Sequence, residues 1–262
     1  MKYLLKLFLV TLTVLTIPVL HANEFKKPPY DKRLNLKLNG KLWYENSDTD
    51  SDSAYNLGVY YDQVLKEYKT AEFWYKKAWS IDKNIKAVNN LGFIYHSYLN
   101  KLKEAEYWYK KRIELENNNP NGLFNLALLY DDKLNNPNLA IKYYKKAYKF
   151  KTKAKDSAYN LAYLYEDLKN HSKAIKWYEK AISEKSLKGL KNIARLYHHI
   201  LKDDIKAAEY FIALIDNRYP KNKVLNFFKQ KWKLSDETIK KGYEAQLKSK
   251  IIPEKLKYKG GI

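Results

Sequence analysis

The 262-residue chain has a formal net charge of +21 and is 45% hydrophobic and 15% aromatic, with only 8 Gly and 7 Pro. Few backbone breakers and many large side chains favour helices packed through rings and exclude a disordered-type composition. The complete absence of Cys excludes disulfides, thiolate zinc sites and cysteine nucleophiles together.

Residues 1–22 read as an export leader: Lys2 and Lys6 precede an apolar run from Leu7 to Leu20, and Ala22 offers a small residue at the cut. The expected product begins at Asn23 and is periplasmic or secreted. The run is too short to span a bilayer comfortably, which takes about 20 residues, so no stable membrane span is expected once the leader is removed. Leu20 stands where a small residue is preferred, which leaves an uncleaved anchor open. Residues 23–52 read as a linker. Within it Leu34, Leu36 and Leu38 alternate up to Asn39-Gly40, a signal for a short hairpin.

From 53 to 220 the chain repeats itself. SAYNLGVYY, AVNNLGFIY, GLFNLALLY, SAYNLAYLY and GLKNIARLY begin at Ser53, Ala87, Gly122, Ser157 and Gly189. Each is followed by a second block, AEFWYKKA, AEYWYKKR, AIKYYKKA, AIKWYEKA and AAEYFIAL, beginning at Ala71, Ala105, Ala140, Ala174 and Ala207. Leu57, Gly58 and Tyr61 share one side of a first helix, and Ala71, Tyr75 and Ala78 share one side of a second. One such hairpin cannot bury its own apolar face, so units must stack. Tyr61, Tyr95, Tyr130, Tyr165 and Tyr197 are expected buried at equivalent places.

This pattern resembles the tetratricopeptide repeat and its Sel1-like relative over roughly residues 53–214. Most links are one residue longer than in a standard tetratricopeptide, which leans toward the Sel1-like form. The resemblance implies an all-α, right-handed superhelical array of five hairpins whose first helices line a concave face, and it implies binding to protein partners. Some secreted Sel1-like proteins that this chain resembles bind or slowly hydrolyse β-lactams, but they carry a disulfide in each repeat. The chain shows no nucleophile, metal or cofactor constellation, so no cofactor and no catalysis are expected.

After the repeats, residues 221–250 read as two capping helices, the second started by Ser235 with Asp236 and Glu237 in its first turn. Residues 251–262 read as a polar, mobile tail.

Candidate binding residues come from register. Asn56, Asn90, Asn125, Asn160 and Asn192 each precede the anchor leucine or isoleucine. Such amides either tie neighbouring helices together or present a ladder to an extended peptide backbone. The resemblance puts them on the concave face. The two positions after each first-helix tyrosine hold Asp62, Asp131, Asp132, Glu166 and Asp167 and no Lys or Arg. Acids at a helix C-terminus oppose its dipole, and the resemblance implies that these positions border the groove, so they point to selection of a basic segment there. Tyr159 and Tyr163 stand beside them and also suit glycan stacking. Lys76-Lys77, Lys110-Lys111 and Lys145-Lys146 are expected on the outer face. Only four of the 50 basic residues are Arg, which argues against nucleic-acid recognition, where the planar guanidinium fork is favoured.

Overall fold

The computed structural model describes residues 26–262, so the leader read at 1–22 lies outside the described residues. Among the described residues there are thirteen α-helices and no extended strand. The described residues divide after Ala87 into two compact units, 26–87 and 88–262.

In the first unit a 3-10 turn, Lys32–Leu36, leads to α1 (Gly40–Asn46). Then come α2 (Ser51–Val59), its π-helical continuation Tyr60–Leu65, and α3 (Tyr68–Asp82). The expected hairpin at 34–44 is not formed. Of its alternating leucines only Leu34 is buried, while Leu36 and Leu38 are 87% and 82% exposed, so they do not make one apolar strand face. Asn39 adopts φ 65° and starts a helix instead of a reverse turn. Gly40 fits because a Cβ there would lie 2.3 Å from the Leu34 carbonyl oxygen. Lys77 also departs from the expected outer face. It is buried and its Nζ pairs with Asp48, which Lys27 meets from the other side at 2.9 Å.

Further hairpins follow. Helix α4 (Ile85–Ser97) pairs with α5 (Leu102–Leu115), and α6 (Pro120–Leu128), extended by a π turn Leu129–Lys133, pairs with α7 (Pro137–Tyr148). Helix α8 (Lys151–Asp167) pairs with α9 (His171–Ser183). Helix α10 (Leu187–Leu196), extended by Tyr197–Leu201, pairs with α11 (Asp204–Ile212). The anchors Leu57, Leu91, Leu126, Leu161 and Ile193 are all fully buried, as are Ala71, Ala105, Ala140, Ala174 and Ala207. Of the five first-helix tyrosines, Tyr61, Tyr95, Tyr130 and Tyr165 are buried and Tyr197 is half-buried. Gly58 and Gly92 sit where the second-helix rings press closest: a Cβ on either would lie 2.5 Å from the ring of Tyr75 or Tyr109.

The link between paired helices has one construction throughout. The carbonyl of the first-helix tyrosine accepts the backbone N–H just before the second helix: Tyr61 from Glu67 (2.8 Å), Tyr95 from Lys101 (3.0 Å), Tyr130 from Asn136 (2.8 Å), and Tyr197 from Asp203 (3.0 Å). In these four the bond spans six residues and the tyrosine lies ten residues before the second-helix alanine. In the fourth hairpin Tyr165 lies nine before Ala174, and its carbonyl takes Asn170 N–H at 2.8 Å across five. The extra residue therefore goes into a widened last turn, the usual way a helix absorbs an insertion. The residue before each donor, Lys66, Asn100, Asn135, Lys169 or Lys202, takes positive φ.

The C-terminal caps follow the sequence reading. Helix α12 (Lys221–Phe227) runs on through Phe228–Trp232, and the Ser235 hydroxyl accepts Thr238 N–H at 3.1 Å to start α13 (Asp236–Lys248). Gly242 lets α13 lie on α11, since a Cβ there would be 2.4 Å from the Ala208 methyl. The tail is not a free polar end. Ile252, Leu256 and Tyr258 are buried, and the Gln246 side chain pairs with the Tyr258 backbone in both directions, at 2.7 and 3.1 Å.

Candidate functional site

The predicted asparagines and acids are brought together by a residue the register argument overlooked, the second-helix tyrosine. Tyr75 donates its hydroxyl to Asp62 (3.1 Å), Tyr144 to Asp131 (3.1 Å) and Tyr178 to Glu166 (2.7 Å). Asn192 donates to Tyr178 at 3.5 Å and to Tyr159 at 3.1 Å, and Asn160 lines the same cavity as Tyr144 and Asp131. One relay results, Asn192–Tyr178–Glu166. It runs from the first helix of one hairpin, through the second helix of the hairpin before it, to that hairpin's own first helix. The aromatic that precedes the asparagine leans on the same ring: Tyr55 on Tyr75 (5.8 Å), Phe124 on Tyr144 (5.9 Å) and Tyr159 on Tyr178 (6.2 Å). The sequence signal was present, because an acid follows the first-helix tyrosine where the second helix supplies Tyr75, Tyr144 or Tyr178. In the second hairpin His96 takes the acid's place and meets Tyr109 edge-on at 6.2 Å.

The candidate residues thus fall into two classes. Asp62 is buried, Asp131 and Glu166 are half-buried, and each is tied to its tyrosine. Asp132 and Asp167 are exposed. Among the amides Asn192 is buried, while Asn56, Asn90, Asn125 and Asn160 are half-buried, and Asn125 reaches Asn89 at 3.4 Å. Burial raises the pKa of Asp62 and of Asp131; for Asp131 the nearby carboxylates of Asp132 and Asp167 add to the rise. Burial pulls His96 down although Asp132 lies 3.9 Å away.

Two cavities open on either side of Asn160. One, of about 370 Å³, is lined by Leu128, Asp131, Asp132, Tyr144, Asn160, Tyr163, Leu164 and Asp167. Tyr163 is 52% exposed there. The other, of about 540 Å³, carries Lys155, Lys185 and Lys188 against a single acid, Asp156, around Phe124 and Tyr159. Acidic and basic linings therefore share one amide.

Comparison with known families places the tetratricopeptide repeat at residues 120–153 and 156–186 and the Sel1 repeat at 51–78. These segments are tetratricopeptide and Sel1-like repeats. Each matched segment begins near the start of a first helix, α6, α8 or α2, and takes in the second helix paired with it. Among solved structures the chain is similar to MamA protein, at 22% identity over 73% of this chain and 98% of that one, with a TM-score of 0.54. It is similar to PilF of Pseudomonas aeruginosa, at 21% identity over 76% and 91%, TM-score 0.56. A protective antigen of uropathogenic Escherichia coli with an SLR fold matches at 20% identity over 85% and 52%, TM-score 0.55. No curated protein matches the chain. Likeness at this level of identity carries the repeat fold alone. Tetratricopeptide repeats generally serve as scaffolds that bind protein partners. Among the described residues no helix is long and apolar enough to cross a membrane, and no cluster of metal-ligating side chains occurs.

Proposed function

We propose that this protein is an exported scaffold that holds an extended, basic polypeptide segment against the first helices of its third and fourth repeats. The observation that carries the reading is the cavity of about 370 Å³ in which Asp131, Asp132 and Asp167 converge beside Asn160 and the exposed Tyr163. On a chain of net charge +21, three carboxylates in one concavity create a local field opposite to that of the whole, and fields focus in concavities. Burial and its two acidic neighbours disfavour the charged form of Asp131. An arriving Lys or Arg relieves that repulsion, which is how a charge held at a cost to the free protein becomes affinity in the complex. The half-buried Asn160, with Tyr144 on one side, has amide capacity left for a peptide backbone.

The relay gives Asn192 and Glu166 a structural duty, so the three acids of the cavity are assigned the selectivity. The test begins by recovering a segment with the mature chain as bait in envelope extracts. The ligand is then titrated against Asp131→Asn, Asp132→Asn and Asp167→Asn combined. Basic ligands should bind several-fold more weakly and neutral ones unchanged. Equal affinity for basic ligands in parent and variant would remove the cavity as the site. A glycan reading rests on the exposed ring of Tyr163, and binding of cell-wall oligosaccharides lost in Tyr163→Ala would favour it.

A further inference from the structure

The aromatic side chains that close the C-terminal end of the repeats do more than seal it. They enclose a separate cavity of about 330 Å³, lined by Phe211, Tyr219, Val224, Phe227 and Trp232 and rimmed by Lys191, Arg195, His199 and Lys223. Phe211 is its floor: the ring stacks on Phe227 (5.1 Å, 8°) and Tyr219 (6.3 Å, 10°) and meets Trp232 at 5.1 Å and 65°. Trp232 closes the box against Phe227 at 5.1 Å.

An aromatic box alone would suit a cation, whose charge sits on the ring faces. The rim decides the opposite sign. Lys191, Arg195 and His199 follow one another at four-residue spacing along α10 and its π extension, so they share one face of the helix. All three are exposed. Lys223 stands across from them on α12, 5.7 Å from the Tyr219 ring. No carboxylate lines the cavity. The half-buried Glu166 reaches Arg195 at 3.5 Å from outside it, a single long contact that leaves the other N–H donors of the guanidinium for a ligand. Neighbouring positive charge is felt at the rim: burial, then His198, Arg195 and Lys202, lower the His199 pKa.

We propose that this cavity is a binding site for a small amphipathic anion, an aryl or medium-chain carboxylate whose hydrocarbon body lies on Phe211 and whose carboxylate meets the Lys191–Arg195–His199–Lys223 rim. A volume of this size is at the lower end for small-molecule sites and leaves no room for a folded partner. The site is independent of the acidic cavity.

The probe is 2-naphthoate, titrated calorimetrically into the full chain, with 2-naphthylmethanol and 2-naphthylmethylamine as neutral and cationic controls of the same body. The acid should bind best, the alcohol more weakly and the amine least. Saturation with 2-naphthoate should raise the His199 pKa, followed by imidazole NMR signals, because an anion beside the ring stabilises its charged form. Lys191→Gln, Arg195→Gln and Lys223→Gln together should weaken the acid by at least about tenfold and leave the alcohol as before. These side chains are exposed, and an unchanged melting temperature confirms that the variant is folded. Asp132→Asn with Asp167→Asn should leave 2-naphthoate binding untouched, which separates this site from the groove. Equal binding of alcohol and acid, preference for the amine, or a triple variant that binds the acid as tightly as the parent would overturn the proposal. Stronger competition by an acetylated peptide ending in Phe than by the free acid would overturn the small-molecule assignment.

Discussion

Tyr144 shows how one side chain serves packing and polarity at once. Its ring is fully buried and its hydroxyl donates to Asp131, so burial and the adjacent carboxylate raise its pKa. Tyr144→Phe keeps the ring and leaves Asp131 short of a hydrogen bond, which should cost roughly 1–2 kcal/mol in chemical denaturation. Asp131 works in the other direction. Its pKa is raised in the folded chain, so between the ordinary aspartate value and the raised one the native state holds the extra proton. Stability therefore falls as pH rises through that window and recovers as pH drops below it. Asp131→Asn keeps the acceptor for Tyr144 and removes the charge. It should melt higher than the parent at neutral pH, with the gain shrinking toward pH 4 and below. A gain that stays constant over that range would show that the carboxylate is not held at a cost. Tyr130 tests burial at the same scale. It is stacked on Tyr143 at 5.6 Å and bonded to Glu106 at 2.7 Å, and Tyr130→Ala should lose on the order of 3–5 kcal/mol.

At the scale of the hairpin, the shared link explains why the repeats tolerate two spacings. A carbonyl that accepts across six residues and one that accepts across five both deliver the chain to the next helix, provided a single residue turns left-handed just before the donor. That residue is Lys66, Lys169 or Lys202 in three hairpins, where a β-carbon is strained and glycine is not. Lys202 is exposed, with φ 58°. Lys202→Gly should therefore raise stability by up to about 1 kcal/mol, less the entropy glycine loses on folding. A fall in melting temperature would show that the widened turn does not need that conformation. Gly242 is the reverse case, because its helical backbone is ordinary and only space is scarce. Gly242→Leu should undock α13 from α11 and expose the end of the array.

Over the whole molecule the charge is arranged rather than merely large. Lys145 and Lys146 face solvent on a second helix, while Asp131, Asp132 and Asp167 gather between first helices. An interaction dominated by exposed charges should weaken as salt rises from tens of millimolar to physiological strength, where the screening length is about 8 Å. Salt-insensitive affinity for a recovered basic segment would place its energy in apolar contacts instead.

The repeat period by itself determined the helix pairs, the anchors and the alanines, because a pattern repeated five times records which side of each helix must be buried. It also placed the C-terminal helices, whose start is marked by Ser235. What it left open depends on neighbours distant along the chain. The asparagine ladder and the acids read as two separate features until folding set Tyr178 between Asn192 and Glu166. Lys77 read as surface until Asp48 covered it, and the tail read as polar until Gln246 held the Tyr258 backbone. The Asn39-Gly40 pair read as a hairpin turn because the local code allows one; a strand there would have needed a partner face for Leu36 and Leu38, and the fold supplies none. Periodicity reports the burial each segment requires, whereas the partner that meets a polar or charged group is chosen only when remote segments pack against it.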